Sequence, residues 1–248
     1  MMIEQSAHSN RWRRVSPAAK ASFSMCGLVA AYAAATPGAA CCVASALCAV
    51  TILGAGVPAG RYLRVAAPAL LFLAVSAFSL AFSLELSRGA LAVSLPPGRG
   101  ELHQAAQVGA RSLAGLATLL FLALTTPLID LVGLLRRLRT PAVMLDIMVL
   151  CYRTLFVFSE AVRDTIAAQA SRLGYATARL SLRSLGILVA NLAVQVWRRS
   201  NDLHLAALAR NNDGPLQFLE RPHPNSARDL RIAVFGGIAL VAFALVSS

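Results

Sequence analysis

The run TPAVMLDIMVLCYRTLFVFSEAVRDTIAAQASRLG, Thr140 to Gly174, decides the fold. It opens on Thr140-Pro141, a helix-start pair with Thr as N-cap and Pro at the first position. It closes on Gly174, a usual helix stop. A helix filling the run would be a rod of roughly 45–50 Å at about 1.5 Å per residue. Asp146, Arg153 and Glu160 recur every seven residues, and Asp164 follows Glu160 by four. That spacing gathers them on one face, a polar stripe on an otherwise apolar helix. The rod is too charged to sit lengthwise in lipid.

Downstream, a second long helix is expected from about Ala178 to Arg210, with Leu182, Leu185, Val189, Leu192 and Val196 on its apolar face. Asn211-Asn212-Asp213-Gly214 breaks it, and Pro222, Pro224 and Asn225 form a linker. Upstream, Thr126-Pro127 starts a short connecting helix, with Leu128, Leu131, Leu134 and Leu135 on one side and Arg136, Arg137 and Arg139 at its end. Each long helix ends on an arginine, Arg172 or Arg210. Arginine stays charged and presents five donors in a planar fork that matches carboxylates. It also complements the negative end of its own helix. The parallel placement of two such ends favours a grip on a soluble partner at two equivalent points. The two helices should pack together, crossed or as a hairpin, with apolar faces towards a membrane domain.

Composition puts the rest of the chain in a membrane. Of 248 residues, 57% are hydrophobic and 14% charged, against roughly 25% charged in a soluble domain. Aromatics make up 6%, which favours helices packed through small residues over a β-barrel with aromatic girdles. Five spans are expected: about Ala21–Thr36, about Ala39–Val57, Val65–Leu84, about Gln104–Thr126, and Ile232–Val246. Pro37-Gly38 turns the chain between the first two. The start also has the look of a secretory leader, with Ala33-Ala34-Ala35 as a cleavage site. The apolar character resumes at once after Gly38, which favours two retained spans.

The net charge of +12 is uneven, and Lys20 is the single lysine. Arg11, Arg13, Arg14 and Lys20 place the N-terminus in the cytoplasm. Arg61 and Arg64 return the chain there, and the segment Glu85 to Glu101, with Pro96-Pro97-Gly98, lies outside. The chain is thus expected to be an all-α, multi-pass protein of the cell (inner) membrane. It divides into a cytoplasmic segment 1–20, spans over 21–126, a cytoplasmic module 127–230 and a last span 231–248. Arginines that flank apolar spans argue against nucleic acid as partner.

Catalytic and metal chemistry is not written in the sequence. No Gly-rich loop precedes a lysine, so the chain has no phosphate loop of its own. His8, His103, His204 and His223 are scattered, and Met1-Met2-Ile3 offers no N-terminal histidine for a metal clasp. Cys26, Cys41, Cys42, Cys48 and Cys151 have no metal-ligand spacing and read as small apolar residues. Carboxylate pairs are missing from the spans, against a proton-coupled carrier. No cofactor, metal site or catalytic residue is expected.

Thr125-Thr126-Pro127-Leu128-Ile129-Asp130-Leu131, then Leu135-Arg136-Arg137-Leu138-Arg139-Thr140-Pro141, resemble the energy-coupling T subunit of ECF-type ABC importers. Tyr152-Arg153-Thr154-Leu155-Phe156-Val157 and Arg172-Leu173-Gly174-Tyr175 look like its cobalt-transport branch, CbiQ. Leu182-Arg183-Ser184-Leu185-Gly186 and Leu208-Ala209-Arg210 continue the likeness, which covers roughly 110 to 220. The resemblance implies a non-catalytic subunit that passes ATPase motion to a substrate-binding membrane subunit for cobalt uptake. It also implies that two Ala-Arg-Gly-like motifs dock two ABC-type ATPase subunits. Their positions here are Ser171, Arg172 and Leu173, and Ala209, Arg210 and Asn211. Ser171 departs from Ala, and Leu173 and Asn211 depart from Gly; Asn tolerates the left-handed conformation that a helix end needs.

Other functions remain open to this sequence. One is a T subunit for nickel, biotin or another vitamin. Another is a membrane enzyme acting on lipid headgroups, which would require clustered Asp or His at the membrane face. A third is a scaffold whose basic region binds the lipid bilayer. The stripe of Asp146, Arg153, Glu160 and Asp164 could lock its helix against Arg179, Arg183, Arg198 and Arg199 of the next, or be plain solvated surface.

Overall fold

The computed structural model describes residues 6–7, 10–81, 84–87, 90–93, 99–211 and 226–247. Met1 to Ile3, His8, His223, the turn Pro96-Pro97-Gly98, the break Asn212-Asp213-Gly214 and the linker at Pro222, Pro224 and Asn225 lie outside these residues. Two units emerge, Met1–Leu134 with Glu220–Ser248, and Leu135–Leu219.

The first unit starts with a 3-10 turn, Arg11–Arg14. Helix α1 spans Pro17–Ala33 and α2 spans Pro37–Ala49, continuing as a π-turn over Val50–Gly54. Both helices start alike. Ser16 and Thr36 are N-caps whose hydroxyls accept from the Ala19 and Ala39 amides, and proline follows each cap. This satisfies a free N–H and uses a residue that has none to satisfy. Helix α3 spans Ala59–Ala81, with Pro68 inside it. A short antiparallel pair, β1 (Leu84–Ser87) and β2 (Ala90–Val93), lies in the segment expected outside. Helix α4 spans Arg99–Thr125, and α8, Ser226–Val246, closes the chain. Apart from the hairpin, the architecture is the expected all-α membrane protein.

Small residues build the core of this unit. Helix α1 packs on α8 and α4, α2 on α4, and α3 on α4. The main cluster joins Ala30, Ala31, Ala40, Ala44, Ala114 and Ala244 around Val43 and Leu47. At Gly237 of α8, a Cβ would fall 2.6 Å from Cys26 Cβ of α1. Close backbone approach through such residues is how helices associate where lipid offers no hydrophobic drive. Leu71, Phe72, Val75 and Phe78 of α3 remain exposed, a surface fit for acyl chains.

Among the described residues, six helices are long and apolar enough to cross a membrane: Pro37–Gly54, Ala59–Leu80, His103–Thr125, Ala142–Ser171, Ala178–Ala209 and Ser226–Val246. Four coincide with expected spans. The expected first span is α1, of 17 residues. The other two are the long helices read above as cytoplasmic. Hydropathy alone does not set them apart, because their charges are spread thinly along great length.

Helix α5, Leu128–Arg137, carries the chain from the first unit into the second. Helix α6 spans Ala142–Ser171 and α7 spans Ala178–Ala209. The start of α6 differs from expectation. Pro141 occupies the N-cap position without a side-chain cap bond. The Thr140 hydroxyl instead donates to the Leu135 carbonyl at 2.9 Å, so Thr140 closes α5 rather than opening α6. On α7, Leu182, Leu185, Val189 and Val196 are exposed, whereas Ser184 and Leu188 are buried. Ser184 is buried against the turn that follows α6, where its hydroxyl bonds the Gly174 carbonyl.

Candidate functional site

The two arginine-bearing helix ends are built to one pattern. Arg172 is the C-cap of α6 with φ −98° and ψ 18°, and Arg210 is the C-cap of α7 with φ −98° and ψ 8°. The next residues, Leu173 and Asn211, turn left-handed at φ 58° and 51°. Leu173 donates its amide to the Ala170 carbonyl at 3.0 Å, and Asn211 to Leu208, also at 3.0 Å. At the first end the Gly174 amide reaches the Gln169 carbonyl at 2.9 Å. Those two bonds are the paired closure of a Schellman motif, which stops a helix and turns its last carbonyls inward. The family-like departures Leu173 and Asn211 thus stand where glycine is favoured, and the backbone adopts the left-handed turn regardless.

Both arginines are exposed, as are Ser171, Leu173, Ala209 and Asn211. Both arginines are thus exposed residues whose backbone position is set by the cap. Arg139 makes a third left-handed end, φ 60°, after α5. There the arginine itself holds the left-handed position, and the C-cap is Leu138, so the register is shifted by one residue from the other two.

The first end is pinned from α7. The Ser184 hydroxyl donates to the Gly174 carbonyl at 2.9 Å. Gln169 Nε2 donates to the Ser184 carbonyl at 3.0 Å, and the Tyr175 hydroxyl donates to Gln169 Oε1 at 2.7 Å. These four residues tie the last turn of α6 to the second turn of α7. Sequence reasoning missed Gln169, Tyr175 and Ser184. A serine in phase with Leu188, one turn later, was the available signal.

The stripe on α6 is differently placed. Arg153, Glu160 and Asp164 are exposed and Asp146 is half-buried. Arg179, Arg183, Arg198 and Arg199 of α7 are exposed as well. Gln169 and Gly174, which do bond Ser184 of α7, lie at the turn and apart from this stripe. Among the described residues no group of three or more His, Cys, Asp or Glu side chains is set to hold a metal ion.

Residues 8–219 match the family CbiQ, described as cobalt transport protein. The cobalt transport protein CbiQ of Rhodobacter capsulatus is 36% identical over 217 residues, covering 88% of this chain and 86% of that protein. An uncharacterized protein of Methanocaldococcus jannaschii is 36% identical over 126 residues, 50% of this chain and 47% of its own length. A putative fused cobalt transport protein, CbiMQ, of Methanocorpusculum labreanum is 35% identical over 143 residues, 56% of this chain and 23% of its own. The chain thus spans under half the length of two of these relatives.

Proposed function

The chain belongs to the cobalt transport protein family CbiQ, and on that premise we propose that it is the energy-coupling membrane subunit of an ECF-type importer for cobalt ions. It catalyses nothing itself. Two ABC-type ATPase subunits bind its cytoplasmic face, one at Arg172 and one at Arg210, through carboxylates. Their ATP-driven closing moves α6 and α7, and those helices pass the motion to a membrane subunit that binds the metal.

One observation carries this reading. Two exposed arginines sit at the same position of two helix ends, with the same backbone conformation and the same left-handed successor. Capping a helix dipole needs no such match. A homodimeric pair of ATPases presents the same groove twice, and two equal plugs fit two equal sockets. The exposed apolar face of α7 supports the second half of the reading. Leu182 is 73% exposed, Val189 64% and Trp197 72%. A face of this size calls for a partner or lipid to cover it.

The test is the double change Arg172→Ala with Arg210→Ala. Losing one side of a desolvated charge pair at an interface costs about 2–5 kcal/mol. The variant is expected to release the ATPase subunits in detergent and to abolish cobalt uptake. Arg→Lys at both positions is expected to rescue poorly, since an ammonium cannot replace the planar fork. A double variant that copurifies with its full ATPase complement and still transports would overturn the docking role.

A further inference from the structure

Helix α4 ends badly by its own means. The last helical bond there is Thr126 N–H to the Leu122 carbonyl, 3.0 Å. Pro127 has no N–H to continue the ladder. Helix α5 restarts beyond it, with the Asp130 amide turned back to the Pro127 carbonyl at 3.1 Å. The Leu124 and Thr125 carbonyls are left at a buried break, where an unpaired acceptor is costly. Both are satisfied from more than a hundred residues away. Asn10 Nδ2 donates to Leu124 at 3.2 Å and to Thr125 at 3.0 Å. Lys20 Nζ donates to Thr125 at 2.8 Å.

The donors are chosen and held with care. Lys20 is the single lysine of the chain and only 3% exposed. Its compact charge meets the negative end of α4; burial disfavours that charge, and the Asp130 carboxylate offsets only part of the cost. Asn10 is 8% exposed, and its Oδ1 is buried with no donor. Asn10 is thus used as a donor alone. The segment between them is clamped at three further points. The Arg11 amide bonds the Ala55 carbonyl at 3.1 Å. Trp12 lies against Gly54, where a Cβ would come within 2.8 Å of the indole, and it meets the Phe121 ring edge-on at 6.0 Å. The Ser16 amide bonds Asp229 Oδ2 at 3.3 Å. The N-terminal segment is therefore a strap across α2, α4 and α8, and its two side-chain donors close on the root of α5.

We propose that Asn10 and Lys20 are positioning residues for transport: they fix the α4–α5 junction so that force on the second unit is resisted at the root of α5 instead of being lost in a loose hinge. The proposal rests on the coupling function above. It separates these residues from ordinary core donors, which would affect folding and nothing else.

The experiment uses the whole transporter complex reconstituted in vesicles, with cobalt uptake and ATP hydrolysis measured together. Hydrogen exchange at residues 124–131 is followed in the same complexes. Lys20→Met and Asn10→Ala are expected to keep the ATPase subunits bound and to raise exchange at the junction. Uptake per ATP hydrolysed should fall several-fold. Asn10→Asp, which sets an acceptor against two carbonyls, should be worse than Asn10→Ala, and Lys20→Arg should restore part of the ratio. Raised exchange with an unchanged ratio would reduce the strap to a structural cap and overturn the proposal. Unchanged exchange would overturn it too. If a variant fails to assemble, the Asn10→Ala and Lys20→Arg complexes carry the test. Failure of ATPase subunits to copurify with the unaltered chain would overturn the coupling function and this proposal with it, whereas an intact complex with an unchanged ratio overturns this proposal alone.

Discussion

Ser184 Oγ donates to the Gly174 carbonyl at 2.9 Å, and a Cβ on Gly174 would sit 2.8 Å from that same oxygen. The hydroxyl of α7 and the bare α-carbon after α6 thus define one another. This contact anchors the turn that follows Arg172, two residues before Gly174.

Gly174→Ala should be destabilising. Its Cβ would also meet the Gln169 carbonyl oxygen at 2.9 Å, and backbone yields less readily than a side chain. Overpacking of this kind costs about 1–3 kcal/mol. The expected result is a lower Tm in detergent and weaker ATPase retention. Adding Ser184→Ala should not rescue it, since the carbonyl clash remains.

Leu173→Gly should be stabilising. Leu173 holds φ 58° while its side chain is 73% exposed, so little packing is lost. A non-glycine residue in the left-handed region costs roughly 1–2 kcal/mol. Thermal denaturation should show a raised Tm with the ATPase still bound. Asn211→Val, at φ 51°, should move Tm the other way.

Gln169→Ala and Glu160→Ala should part company. Gln169 bonds both Ser184 and Tyr175 across the α6–α7 turn. Glu160 is exposed, where ion pairs are worth about 0–1 kcal/mol. Uptake per ATP should drop for Gln169→Ala and stay unchanged for Glu160→Ala. The reverse order would make the stripe the lever that joins the two helices.

Topology is tested by placing single cysteines in a variant stripped of the native ones. Gly38→Cys, in the first turn of α2 just after the expected turn, should react with an impermeant thiol reagent in intact cells. Ala176→Cys, in the α6–α7 turn, should react only after the membrane is opened. External labelling of Ala176→Cys would place the α6–α7 turn outside and sink the ATPase-docking role.

Local sequence rules determined most of the fold. Ser16-Pro17 and Thr36-Pro37 start helices, Thr126-Pro127 breaks one, and long apolar runs make the rest, because caps, missing amides and hydropathy act within a few residues. The arginines at 172 and 210 were legible for the same reason: each lies at a helix stop marked by its own neighbours. Thr140 was misread because the hydroxyl that could have accepted from the first amides of α6 instead donates back to the Leu135 carbonyl at the end of α5. What the sequence could not show is which distant groups meet. Nothing local to Ser184 marked it as the partner of Gly174 and Gln169, because that contact exists only once α6 and α7 lie side by side. Asn10 and Lys20 read as parts of a basic N-terminal tail. Tertiary structure put them under Leu124 and Thr125, since a helix broken by proline inside a packed bundle must find donors wherever folding brings them.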